Sequence, residues 1–168
     1  MGKGATFIFT VKVEHSKNNT DTEDNHSEEG NTSNRHSKGE FYGKKLLVAE
    51  DIEINREILV ALLEDSGLII ECAENGQEAL DMISANQQKY DIILMDIQMP
   101  QMDGLEATRK IRALPAHQCK NLPIIAMTAN VFKEDIEACV TAGMNDHISK
   151  PLDIDRVLDV LRKYLKRR

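Results

Sequence analysis

From Lys45 onward, four short and nearly continuous apolar runs recur, Lys45-Leu46-Leu47-Val48-Ala49, Leu68 to Ala73, Asp91-Ile92-Ile93-Leu94-Met95-Asp96 and Pro123-Ile124-Ile125-Ala126-Met127, and His147-Ile148-Ser149 reads as a short fifth strand. Runs of this length rich in Ile, Leu and Val read as strands covered on both faces. After each run, apolar residues return at helical spacing. Ile58, Leu59, Leu62 and Leu63 mark the first helix, and Ala79, Leu80, Met82 and Ile83 the second. Leu105 to Leu114 and Val131 to Ala142 mark the third and fourth, and Ile154, Val157, Leu158, Leu161 and Leu165 the fifth. Strands that alternate with helices need crossover connections, so the pattern predicts an α/β fold with a parallel sheet. Local punctuation agrees. Asn75 and Glu78 form a capping-box-like pair, Pro115 closes the third helix, Gly143 stops the fourth and Asp153 is placed to cap the last.

The opening quarter of the chain has a different character. Residues Glu14 to Glu40 contain none of Ala, Val, Ile, Leu, Met, Phe, Trp, Tyr or Cys, and carry three basic and seven acidic side chains. Such a segment cannot bury enough apolar surface to offset its ordering entropy, so residues 14–40 are expected to be a disordered polar linker. The expected organisation is a short fragment over 1–13, the linker, and a globular domain over 41–168. The formal net charge of -7 argues against a general nucleic-acid binder. No apolar stretch approaches the roughly 20 residues of a membrane-spanning helix, and no secretory leader is visible. Cys72, Cys119 and Cys139 are odd in number and widely spaced, which points to a reducing, cytoplasmic compartment.

In open α/β sheets, sites form beyond the carboxyl ends of the strands. The first strand is followed by Glu50 and Asp51, the third ends in Asp96, the fourth ends in Thr128, and the fifth is followed by Lys150 and Pro151. Three carboxylates gathered on one edge repel one another unless a cation sits among them. A hard divalent ion with oxygen ligands answers this, and Mg²⁺ suits a site that also receives a phosphate. A lysine beside such a site suggests a phosphoryl group, and an aspartate can accept one as an aspartyl-phosphate.

These residues carry a family resemblance. From about Lys44 to Arg168 the chain resembles the receiver domain of two-component response regulators. The matches are Glu50-Asp51, Asp96 with Met99-Pro100 and Asp103-Gly104 after it, Thr128-Ala129, and Lys150-Pro151, in the expected order. The resemblance implies a doubly wound (βα)5 flavodoxin-like sheet with strand order 2-1-3-4-5, which sets Asp51 and Asp96 on neighbouring strands. It implies that Asp96 accepts a phosphoryl group from phosphohistidine. Asp51, Asp96 and the Gln98 backbone carbonyl would bind Mg²⁺, with Glu50 reaching it through water. Lys150, the Thr128 hydroxyl and the Ala129 N–H would hold the phosphoryl oxygens, and the Lys150-Pro151 peptide would be cis. The exchange partner would be the dimerisation domain of a histidine kinase or a histidine phosphotransfer protein. The family's switch aromatic, three residues before the lysine, is here His147, so the switch pair becomes Thr128 and His147.

Residues Gly2-Lys3-Gly4-Ala5-Thr6-Phe7-Ile8-Phe9-Thr10 resemble the last glycine box and closing strand of a histidine-kinase ATP-binding domain. The order kinase tail, linker, receiver implies the C-terminal part of a hybrid sensor histidine kinase, whose parent protein could be membrane-anchored. The chain itself lacks the other ATP-binding boxes, so it is expected to accept phosphate rather than to act as a kinase. It is also expected to carry no DNA-binding output domain and to make no direct membrane contact. Two other readings share the acidic set. One is a Mg²⁺-dependent phosphatase of the haloacid-dehalogenase type, which needs a second Asp where Gln98 stands and a nucleophile after the first strand. The other is a receiver-shaped binding module that is never phosphorylated. His15, His26 and His36 read as solvated linker residues, and the basic end Arg162-Lys163 with Lys166-Arg167-Arg168 as cations favouring a helix C-terminus.

Overall fold

The computed structural model describes residues 38–129 and 132–166. The glycine-box resemblance of residues 2–10 and residues 14–37 of the expected linker lie outside the described residues. The elements run β1 (Lys45–Ala49), α1 (Glu53–Leu62), β2 (Ile69–Ala73), α2 (Gly76–Ala85), β3 (Ile92–Asp96), α3 (Gly104–Ala113), α4 (His117–Asn121), β4 (Ile124–Thr128), α5 (Lys133–Ala142), β5 (Asp146–Ser149) and α6 (Ile154–Leu165). All strand pairs are parallel and the sheet order is β2-β1-β3-β4-β5. This is the expected doubly wound fold.

The alternation of side chains along each strand divides the core in two. Leu47, Ile93, Met95, Ile124 and Ala126 face one layer, where α2, α3 and α5 contribute Ile83, Ile111 and Cys139. Leu46, Val48, Ile92, Leu94 and Met127 face the other, where α1 contributes Leu59 and α6 contributes Val157, Leu158, Leu161 and Leu165. Each fully buried Leu or Ile of these layers stabilises the fold by about 1.5–3 kcal/mol relative to exposure. Among the described residues no helix is long and apolar enough to cross a membrane.

Capping follows the sequence with one shift. Asn75 Oδ1 accepts from the Glu78 N–H at 2.9 Å, but Glu78 Oε2 accepts from the N–H of Glu74, one residue before the cap, at 2.7 Å. Asp153 accepts from the Arg156 N–H at 2.9 Å, and Gly143 ends α5 in the left-handed region at φ 98°. Two elements differ from expectation. The short helix α4 has no apolar stripe of its own, so no periodicity announced it. Helix α5 begins at Lys133 rather than Val131, because Phe132 at its N-cap is extended (φ -68°, ψ 151°).

The end of the expected linker is also corrected. Lys38 to Gly43 form a turn packed on the domain. The Gly39 N–H donates to Asp65 O and the Phe41 N–H to Ser66 O, both at 2.8 Å, and Phe41 is buried. The Glu40 carboxylate accepts from Arg162 Nε at 3.0 Å and from Arg162 Nη2 at 3.0 Å, and also pairs with Lys166. Charge pairing orders this stretch, where composition shows only polarity. The Arg162 hydrogen bonds outweigh burial and, with Lys166, hold the Glu40 carboxyl below its ordinary value of 4.5. Its stabilising contribution is therefore full above pH 4.5 and is lost as pH falls through the lower folded value. Glu40→Gln is expected to cost about 1–2 kcal/mol at neutral pH. It should also remove part of the acid-side loss of stability. Chemical unfolding at neutral pH and below pH 4.5 checks both.

Candidate functional site

The register of the sheet assembles the strand ends. Ala49 pairs with Met95, so Glu50 and Asp96 leave β1 and β3 side by side. Asp96 pairs with Met127 and Thr128 with Ser149, which brings the ends of β4 and β5 to the same edge. Glu50 is fully buried, and Asp96 and Thr128 are nearly so. One ligand oxygen each from Glu50, Asp51 and Asp96 lie within 4.8 Å of one another.

Lys150 closes this group. Its Nζ donates to Glu50 Oε2 at 2.6 Å and to Asp96 Oδ2 at 2.7 Å. Its backbone N–H donates to Thr128 O at 2.7 Å, and the following peptide to Pro151 is cis, as the resemblance implied. The other Asp96 oxygen, Oδ1, accepts a longer bond from the Gln98 N–H at 3.3 Å. Asp51, Asp96, Gln98, Thr128, Ala129 and Lys150 line one cleft of about 320 Å³, with Glu50 beneath it.

Burial pushes the Asp96 carboxyl above its ordinary range; the Lys150 hydrogen bond and charge pull against this, and the Glu50 charge adds to the rise. Burial also opposes the charge on Lys150, but its hydrogen bonds to Asp96 and Glu50 prevail and keep its pKa raised. The three clustered acids outnumber the one ammonium that bridges two of them, and Glu50 and Asp96 are buried. The donors are all hard oxygens. The residues therefore fit a hard divalent cation, whose charge balances the excess.

The predicted site residues come together with one exception. His147 pairs with Ala126 in the sheet, two residues below the Ser149–Thr128 pair, so it shares a face with Thr128. It does not line the acidic cleft. It borders a separate cavity of about 220 Å³ against Ile136, Cys139, Val140 and Met144, with Nδ1 4.0 Å from Asp146 Oδ1.

Three residues were not singled out from the sequence. Asn55 Nδ2 donates to Glu50 Oε1 at 2.8 Å, so both Glu50 oxygens are engaged. Arg56 Nη1 donates to the backbone carbonyls of Glu50 and Asp51. Asp135, from the first turn of α5, lines the cleft. The usable signal for the first two was position: the first turn of a helix that follows strand-end acids folds its side chains back over the connecting loop.

The family described as the response regulator receiver domain matches residues 46–162. A probable histidine kinase of Oryza sativa subsp. japonica is 37% identical over 145 residues, covering 76% of this chain and 14% of that protein. Hybrid signal transduction histidine kinase L of Dictyostelium discoideum is 42% identical over 124 residues, covering 73% of this chain and 7% of that protein. The chain thus spans a small fraction of these curated relatives. Among solved structures, the receiver domain of a sensor histidine kinase from Pseudomonas aeruginosa, with a magnesium ion coordinated in its active-site cleft, is 37% identical with a TM-score of 0.66. That match covers 74% of this chain and 98% of the other. The receiver domain of a Saccharomyces cerevisiae response regulator, crystallised with a histidine phosphotransfer signalling protein, matches with 26% identity and a TM-score of 0.66. It covers 74% of this chain and 90% of the other.

Proposed function

We infer, because this chain belongs to the response regulator receiver domain family, that Asp96 is the phosphoacceptor of a phosphorelay and that residues 41–168 form the receiver. The observation that carries this reading is Lys150 Nζ between Glu50 and Asp96, with Asp51 open at the cleft. An Asp96 oxygen attacks the phosphorus of a phosphohistidine. The O–P bond forms as the N–P bond breaks, and the electron pair of that bond leaves with the imidazole. Lys150, the Thr128 hydroxyl and the Ala129 N–H receive the charge of the transferred group. Asp51, Asp96 and the Gln98 carbonyl, with Glu50 behind them, would hold Mg²⁺, which would supply charge neutralisation. Intact-mass measurement after incubation with acetyl phosphate and Mg²⁺ tests the reading. One added phosphoryl group, lost with EDTA, supports it. No uptake from either acetyl phosphate or a phosphohistidine protein overturns it.

The donor is a histidine phosphotransfer protein or the histidine-bearing dimerisation domain of a kinase, and the parent of this chain is a hybrid histidine kinase acting in the cytoplasm. Nucleic acid is not a partner. A donor protein must approach past α1, where Ile54 and Ile58 are exposed and Ile58 borders Lys150 and Pro151. Ile58→Ala is expected to lower kcat/KM for transfer from a protein donor by about tenfold, the scale of an interface anchor. Labelling by acetyl phosphate should stay unchanged, because a small donor does not use that surface. Once Asp96 is phosphorylated, Thr128 moves towards the phosphoryl oxygens. The face of α5 and β5, where Val140 is exposed and His147 half-buried, is the surface that reports the change.

A further inference from the structure

Of the three acids, two have carboxylates fixed by hydrogen bonds. Glu50 is held by Asn55 and Lys150, and Asp96 by Lys150 and the Gln98 N–H. Asp51 is different: among the described residues its carboxylate has no hydrogen-bond donor. What the structure fixes at Asp51 is therefore its backbone, and through it the direction of the Cα–Cβ bond. The loop that carries it has no ordinary lock, since Ile52 stands at the N-cap of α1 and offers no side-chain cap.

Arg56 supplies that lock. Its Nη1 donates to Glu50 O at 2.7 Å and to Asp51 O at 3.0 Å. These carbonyls belong to the two peptide planes that flank the Asp51 Cα. Holding both planes with one nitrogen fixes φ and ψ at Asp51, and with them the Cα–Cβ direction. The other arm, Nη2, donates to Glu74 Oε1 at 3.1 Å across the β2–α2 connection, and the Arg56 side chain is only 12% exposed. The guanidinium fork suits this task, because its nitrogens are rigidly spaced and always charged.

We propose that Arg56 is a positioning residue for the cation site, gripping the Glu50 and Asp51 carbonyls so that the Cα–Cβ bond of Asp51, the acid whose carboxylate is otherwise unheld, is kept aimed at the cleft. This rests on the reading of the cleft as a Mg²⁺-dependent phosphoacceptor site. Partners that orient metal ligands without touching the metal typically change affinity by 10–100-fold.

The test is Mg²⁺ affinity of the full 168-residue chain by titration calorimetry, alongside the Mg²⁺ dependence of acetyl phosphate labelling. Arg56→Gln is expected to weaken Mg²⁺ binding about tenfold. The half-saturating Mg²⁺ concentration for labelling should rise by the same factor, while the rate at saturating Mg²⁺ stays within about twofold, because the residue acts on binding rather than on the transition state. Arg56→Lys keeps the charge but not the fork, and is expected to lose about threefold. Glu74→Gln leaves both carbonyl bonds in place and should bind Mg²⁺ as the wild type does. A purely structural role would lower the melting temperature and leave the Mg²⁺ affinity of the folded variants unchanged, which overturns the proposal. If Arg56→Gln does not fold, Arg56→Lys decides, and wild-type affinity in that variant overturns it. A wild-type chain that binds no Mg²⁺ overturns the reading of the site, and this inference with it.

Discussion

Asp96→Asn is expected to abolish phosphoryl uptake from both acetyl phosphate and a phosphohistidine protein, leaving the intact mass unchanged. The amide has nearly the shape of the carboxylate but lacks its negative charge and its nucleophilic oxygen pair. Neither Glu50 nor Asp51 can stand in. Both Glu50 oxygens are taken by Asn55 and Lys150, and Asp51 follows β1 rather than ending β3. The same substitution should not unfold the protein. Burial raises the folded-state pKa of Asp96 above 3.8, so its contribution to stability is full below that value and is lost as pH rises through the folded one. At neutral pH without a divalent cation, burying the charged Asp96 is a cost that Asn removes, and Lys150 keeps its bond to Glu50. Asp96→Asn should therefore melt at or above the wild-type temperature in EDTA, and gain less from added Mg²⁺. Thermal unfolding with and without Mg²⁺, run beside the mass measurement, checks both halves. Uptake of a phosphoryl group by Asp96→Asn would remove Asp96 from its assigned role.

Gly104→Ala is expected to be the most damaging methyl group that can be added near the site. Gly104 opens α3, and its N–H donates to Ile97 O at 2.9 Å, folding the loop after Asp96 back on the strand. A Cβ there would lie 2.1 Å from the Asp96 carbonyl oxygen and 3.0 Å from both the Asp96 carbonyl carbon and Met95 Cγ. The first two are backbone atoms at the end of a central strand, so they cannot swing aside. Either α3 lifts from the sheet or the end of β3 shifts. Overpacking of this kind costs about 1–3 kcal/mol and more where backbone must move, so a loss of at least about 3 kcal/mol is expected in urea unfolding. A displacement of about 1 Å at a reacting group can cost on the order of 100-fold in rate. Labelling of the folded fraction should fall accordingly. Wild-type stability together with a wild-type labelling rate would show that the helix start tolerates the methyl group.

The acidic edge was legible because Glu50, Asp51, Asp96 and Thr128 lie at the ends of strands whose apolar runs are themselves legible; Lys150 follows Asp146–Ser149, a strand with one apolar residue. Glu50, Asp51, Asp96, Thr128 and Lys150 required only the rule that such sheets act at their carboxyl ends. Asn55 and Arg56 carry no periodic signal and lie on a helix whose pattern speaks only of its buried face. Their roles appear when the first turn of α1 is seen folded over the loop. The order around Glu40 is hidden for a related reason. A glutamate in a polar stretch looks solvated, and the partner that orders it, Arg162, is 122 residues away. The same holds for His147, whose neighbours on α5 depend on how that helix packs.

Local patterns in the chain set the strand–helix order, the caps at Asn75 and Asp153, the two-sided burial of the central strands and the chemistry waiting at the strand ends. These depend on interactions between near neighbours in the chain or on a period of 2 or 3.6 residues. Which charges meet depends on packing between distant parts of the chain. Lys150 reaches Glu50 across 100 residues, and Arg56 reaches Glu74 across 18. A hydrogen bond needs its atoms placed to within a few tenths of an ångström. Only the packed sheet and its helices supply that placement, and no local pattern in the chain encodes it.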